Sequence, residues 1–102
     1  SKENVTKFLL RHDLLQYFAF IHEESGFFGK KKALQNIIRL NKLDKAETFY
    51  IGDETRDIIA AKKCGIKSVA VAWGFNSEKI LLEQQPDYLL KQPDELLSLV
   101  TR

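Results

Sequence analysis

Hydrophobic positions along this chain switch between helical spacing and short unbroken runs, and the switches mark out a succession of helices and strands. In residues 2–17, Val5, Phe8, Leu9, Leu14 and Leu15 recur at intervals that predict a helix with a break near His12 and Asp13. Residues 18–22 form a short strand candidate, and 23–29, with glycines at 26 and 29, a loop. Residues 31–40 carry Leu34, Ile37, Ile38 and Leu40 on one helical face. Residues 49–52 follow Thr48 as a β-branched and aromatic run without alternation, the pattern of a strand buried on both faces. Residues 55–64 read as a helix ended by Gly65. A strand over 67–72 leads to a loop at 73–76, and Ser77 is placed to cap a helix running to Gln84. A short strand at 87–90 follows Pro86, and Pro93 opens a last helix with Asp94 and Glu95 in its first turn. Strands separated by helices of roughly ten residues imply right-handed βαβ units and a mainly parallel sheet.

Composition keeps this picture within one domain. The 102 residues suffice for a single core, and 44% hydrophobic content is that of a globular chain. The net charge of +2 is barely localised: residues 1–51 hold nine Lys/Arg against six Asp/Glu, and 52–102 hold seven against eight. Only Lys30-Lys31-Lys32 forms a cluster, so nothing points to nucleic acid. No apolar run approaches the ~18 residues that would span a bilayer, and the first residues do not resemble a secretory signal. The single cysteine, Cys64, excludes an internal disulfide and fits a reducing compartment, which predicts a cytoplasmic protein.

The candidate chemistry gathers where the buried strand ends. Gly52 is followed by Asp53 at the strand-to-helix turn, on the carboxyl edge where open α/β sheets bind ligands. Asp57 lies one turn further on the same helix face. Two acidic oxygens converging on one point suit a hard cation such as magnesium. Each acid also has a structural role to play. Asp53 is placed to cap the helix, worth ~1 kcal/mol, and Asp57 is a first-turn acid favoured by the helix dipole. The pair at this spacing, directly after a buried strand, is more specific than either residue alone. Arg56 is expected to face solvent or pair locally.

Lys30 stands near the start of the helix over 31–40, where free N–H groups and partial positive charge suit a phosphate. Lys31 and Lys32 read better as a solvated face. Trp73 and Gly74 follow the second buried strand, so they too lie at the carboxyl edge; Trp73 either lines a substrate opening or packs. His12 and His22 lack spacing partners, and Cys64 reads as a small packed residue.

Gly52-Asp53-x-x-x-Asp57, followed by residues 58–66, resembles the fourth motif of the haloacid dehalogenase superfamily of phosphotransferases. Phe28-Gly29-Lys30 resembles the position of the third-motif lysine, with Lys31 and Lys32 as neighbours where many members have proline, which leaves that lysine open among the three. Residues 71–76, 86–90 and 93–97 resemble the tail of phosphoglycolate-phosphatase-like members. The resemblance implies a three-layer αβα, Rossmann-like core. It makes residues 1–102 the C-terminal portion of that core, because the Asp-x-Asp pair that starts the family's chemistry, and a cap domain, do not occur in the chain. It also implies magnesium-dependent hydrolysis of a small phosphorylated metabolite through an aspartyl-phosphate. In that scheme Asp53 binds magnesium, Asp57 supports it, Lys30 neutralises phosphate charge, and Trp73 and Gly74 meet the substrate. The missing N-terminal half would be the necessary partner, with its first- and second-motif strands lying between 18–22 and 49–52. Without them, the sheet is expected to have a central gap and the isolated chain to fold poorly. Two other readings use the same pocket: a non-catalytic binding module, and a receiver-like domain with Asp53 as phosphoacceptor. The second is disfavoured because the lysine precedes the strand and no acidic pair does.

Overall fold

The computed structural model of the chain describes residues 7–11, 16–19 and 26–100. Its frame is a five-stranded sheet in the order β2-β1-β3-β4-β5. The strands are β1 (Phe8–Arg11), β2 (Gln16–Ala19), β3 (Thr48–Gly52), β4 (Lys67–Val71) and β5 (Tyr88–Leu90). The β3–β4 and β4–β5 pairs are parallel, while β1 runs antiparallel to both β2 and β3. All strands but β1 therefore point the same way, as the α/β pattern predicts.

Helix α1 (Gly26–Leu40) leads into β3, and α2 (Thr55–Cys64) crosses from β3 to β4. Helix α3 (Glu78–Glu83) joins β4 to β5, and α4 (Leu96–Val100) follows a single 3₁₀ turn at Pro93–Glu95. The sequence boundaries of α2 hold at both ends. Gly65 stops it in the left-handed region at φ 76°, where its N–H reaches the Lys62 carbonyl and that of Ile66 reaches Ala61. Ser77 caps α3 as expected, accepting the Ile80 N–H at 3.3 Å.

Alternation along the strands divides the core in two. Leu9 and Tyr50 face α1 and α2, packing with Leu34, Ala61 and Cys64. Phe49, Ile51, Val69 and Val71 face the other way, onto Leu90 and Leu99 of β5 and α4. Both faces are thus covered by helices, which gives the three layers of an αβα core.

The N-terminal part departs from expectation. Residues 8–11 and 16–19 are strands rather than one helix; residues 1–6, 12–15 and 20–25 lie outside the described residues. The apolar run Phe8-Leu9-Leu10 fits either period, and the neighbouring strand decides it. Phe8 pairs with Ile51 and Leu9 with Tyr50, so β1 satisfies the edge of β3 that was expected to lie open. The sheet has no central gap among the described residues. The predicted loop at 23–29 is likewise helical from Gly26 onward, because packing of α1 on α2 outweighs the ~1 kcal/mol helix cost of each glycine.

Candidate functional site

The carboxyl ends of β3 and β4 open onto the turn carrying Asp53 and the loop carrying Trp73 and Gly74. Asp53 is not the helix cap. That place falls to Glu54, whose N–H is taken by the Asp57 carboxylate at 2.9 Å, so Asp57 closes the first turn of α2 from inside. Asp53 instead turns toward the β4 loop. Its Oδ2 accepts the Phe75 N–H at 2.8 Å, and its backbone carbonyl accepts the Asn76 N–H at 3.1 Å. The Asn76 side chain returns the tie by accepting the Thr55 N–H at 2.9 Å. The loop after β4 and the turn after β3 are therefore one hydrogen-bonded unit.

Both acids are buried, Asp53 at 5% and Asp57 at 2% exposure. Charges so placed need a cation or a set of donors nearby. The Lys7 ammonium, immediately before β1, supplies one. Its Nζ lies 3.4 Å from Asp53 Oδ1, 3.2 Å from Asp57 Oδ2 and 3.1 Å from Glu54 Oε1. Burial pulls the Lys7 pKa down, but Asp57 and Glu54 more than offset it and the ammonium is held above the ordinary lysine range. Burial raises the Glu54 carboxyl, and the hydrogen bonds and charges of Arg56 and Lys7 outweigh this and lower it. Arg56 pairs with Glu54 at 2.8 Å, the local partner anticipated for it. Tyr50 completes the cluster from below: its hydroxyl lies 3.2 Å from Asp57 Oδ1.

The sequence identified the two acids, and the structure places both at one cation. It gave no sign of Lys7, which lies 46 positions before Asp53 and belongs to no motif. The only local signal was a lysine directly ahead of an apolar run. Tyr50 was legible as a core residue but not as a polar one. Lys30 lies in α1, with its side chain outside the described ones. Lys31 and Lys32 sit elsewhere: the Lys31 carbonyl accepts from the Cys64 thiol at 3.7 Å, at the far end of α2 from the acids, and Lys32 is exposed. Trp73 packs against the Val69–Leu99 cluster and is half-buried, consistent with its packing role. Gly74 abuts Asp53 so closely that a Cβ there would meet the carboxylate. Cys64 is buried and packed; burial pushes its thiol up despite the charges of Lys45 and Lys31. His12 and His22 lie outside the described residues.

The donors suit a small hard cation. Among the described residues no group of three or more His, Cys, Asp and Glu side chains is arranged to hold a metal ion. Magnesium, however, is commonly held by one or two carboxylates, with water and phosphate oxygens completing the octahedron. Among the described residues, Asp53 Oδ1 is a buried oxygen with no hydrogen-bond donor, its nearest cation being Lys7 Nζ at 3.4 Å. A buried carboxylate oxygen without a hydrogen-bond donor is one that a divalent ion would satisfy.

A sheet with four of its five strands parallel, helices on both faces and two acids at the carboxyl end of a buried strand is an open α/β core with its ligand edge at those acids. The chain belongs to the haloacid dehalogenase-like hydrolases, whose family model matches residues 1–71. It is 37% identical over its full length to a phosphoglycolate phosphatase of Synechococcus elongatus, of which it covers 48%. It is 35% identical over 62% of its length to the pyrophosphatase PpaX of Bacillus pumilus, covering 30% of that protein. Among solved structures, a haloacid dehalogenase-like hydrolase of Streptococcus pneumoniae superposes with a TM-score of 0.63 and 31% identity, over 67% of this chain and 32% of that one. The chain thus spans less than half the length of these relatives. Among the described residues, no helix is long and apolar enough to cross a membrane.

Proposed function

We propose that the protein carrying this chain is a magnesium-dependent phosphatase acting on a small phosphate monoester, of the phosphoglycolate-phosphatase type. The observation that carries this reading is the convergence of Asp53 and Asp57, buried at the carboxyl edge of the sheet, on a single cationic point. The names of the relatives, a phosphoglycolate phosphatase and a pyrophosphatase, agree in making a phosphate group the target.

In this reading Asp53 Oδ1 and Asp57 Oδ2 are the protein's oxygens toward magnesium. The ion they would hold would supply charge neutralisation for the phosphoryl group. The Phe75 N–H holds Asp53 in place, and the Glu54 N–H holds Asp57. Lys30 is the candidate phosphate lysine, and Lys7 is a cation that pairs with both acids. Trp73 and Gly74 border the substrate opening. The nucleophile and the proton-transferring acid come from a segment outside this chain, since no Asp-x-Asp occurs in it. The reading assigns the enzyme to the cytoplasm, where the Cys64 thiol stays reduced.

Steady-state phosphate release by the full-length protein tests this. Asp53→Asn keeps the shape and removes the charge. It is expected to lower kcat by ~100-fold or more, the scale of losing a charge-stabilising group at a phosphoryl site. Turnover that is unchanged in the variant and insensitive to magnesium in both proteins would contradict the proposal.

A further inference from the structure

We infer that Tyr50 is a positioning residue for the metal site, its hydroxyl setting the orientation of the Asp57 carboxylate; this rests on the magnesium reading above. Tyr50 stands on β3 with its ring in the core facing α1 and α2, only 1% exposed. Its hydroxyl meets Asp57 Oδ1 at 3.2 Å. The opposite oxygen, Oδ2, accepts the Glu54 N–H at 2.9 Å and faces Lys7 Nζ at 3.2 Å.

The consequence follows from the freedom of an aspartate. The terminal torsion of a carboxylate is broad and nearly two-fold, so a single hydrogen bond leaves its plane loosely defined. Here a backbone N–H holds one oxygen and a phenol holds the other. The two anchors sit on different elements, the start of α2 and the middle of β3. Together they fix the carboxylate plane and present Oδ2 toward the point Lys7 now occupies. The phenol is the donor in this contact, since a carboxylate oxygen can only accept. A phenylalanine would fill the same core space, so packing accounts for the ring and not for the hydroxyl.

Magnesium calorimetry on the full-length protein separates this role from a purely structural one. Tyr50→Phe keeps the packed ring and removes only the donor. It is expected to weaken magnesium binding by ~10-fold or more, the scale seen when a partner of a metal ligand is lost. KM for the phosphate ester at saturating magnesium should hold, and kcat should recover as magnesium is raised. In an Asp57→Asn background the same change should cost no further magnesium affinity, because the two residues act as one unit. Wild-type affinity in Tyr50→Phe, or a loss of equal size in both backgrounds, would overturn the inference while leaving the metal site standing. A wild-type protein that takes up no magnesium would overturn both.

Discussion

Gly52 is glycine because Asp57 occupies the space its side chain would fill: a Cβ built on Gly52 runs into the Asp57 carboxylate. Gly74 stands in the same relation to Asp53. Each acid is thus pressed against a glycine, one ending β3 and one in the loop after β4, and both glycines are required by close approach of a carboxylate rather than by backbone conformation.

Gly52→Ala and Gly74→Ala should therefore each displace one acid. The clash is with a short buried side chain tied to backbone N–H groups, which cannot swing aside freely. Overpacking of this kind costs ~1–3 kcal/mol. Thermal unfolding should show the loss for both variants, and magnesium affinity should fall with it. Wild-type melting in Gly52→Ala would mean that Asp57 is not held where it is described.

The cluster around Lys7 makes stability depend on pH at both extremes. The folded pKa of Lys7 lies above the ordinary 10.5, so its contribution is fully present below that value and lost as pH rises through the folded value. The folded pKa of Glu54 lies below the ordinary 4.5, so its contribution is present above that value and lost as pH falls through the folded one. Chemical denaturation across pH should show both declines. Lys7→Met should reduce both, since Lys7 pairs with Glu54 beside Arg56 and the buried Tyr50 phenol keeps an alkaline decline of its own. A Lys7→Met profile superimposable on the wild type would remove Lys7 from the cluster.

The segment from Thr48 to Gly65 was legible because its signals are local. A non-alternating strand, a first-turn acid and a terminal glycine each act within a few residues, and the 55–64 helix was placed to the residue. The N-terminal strands were not legible. Phe8 and Leu9 suit helix and strand equally, and the choice depends on β3, some forty positions away. A similar distance concealed Lys7, and a partner 22 positions away made Asp53 look like a cap. Only the tertiary contacts of Phe75 and Asn76 show that Asp53 faces the neighbouring loop and leaves the capping place to Glu54. Tyr50 was concealed differently: in a buried strand its ring follows from the pattern, while its hydroxyl needs a partner the pattern does not name.

Whether Asp53 and Asp57 hold a divalent ion is tested most directly by adding manganese to isotope-labelled full-length protein and following paramagnetic broadening of its amide signals. The account predicts that trace manganese first broadens residues 52–57 and 74–76, that excess magnesium restores them, and that Asp53→Asn abolishes the effect. Broadening confined to other residues, or none at manganese concentrations that saturate ordinary carboxylate pairs, would contradict it.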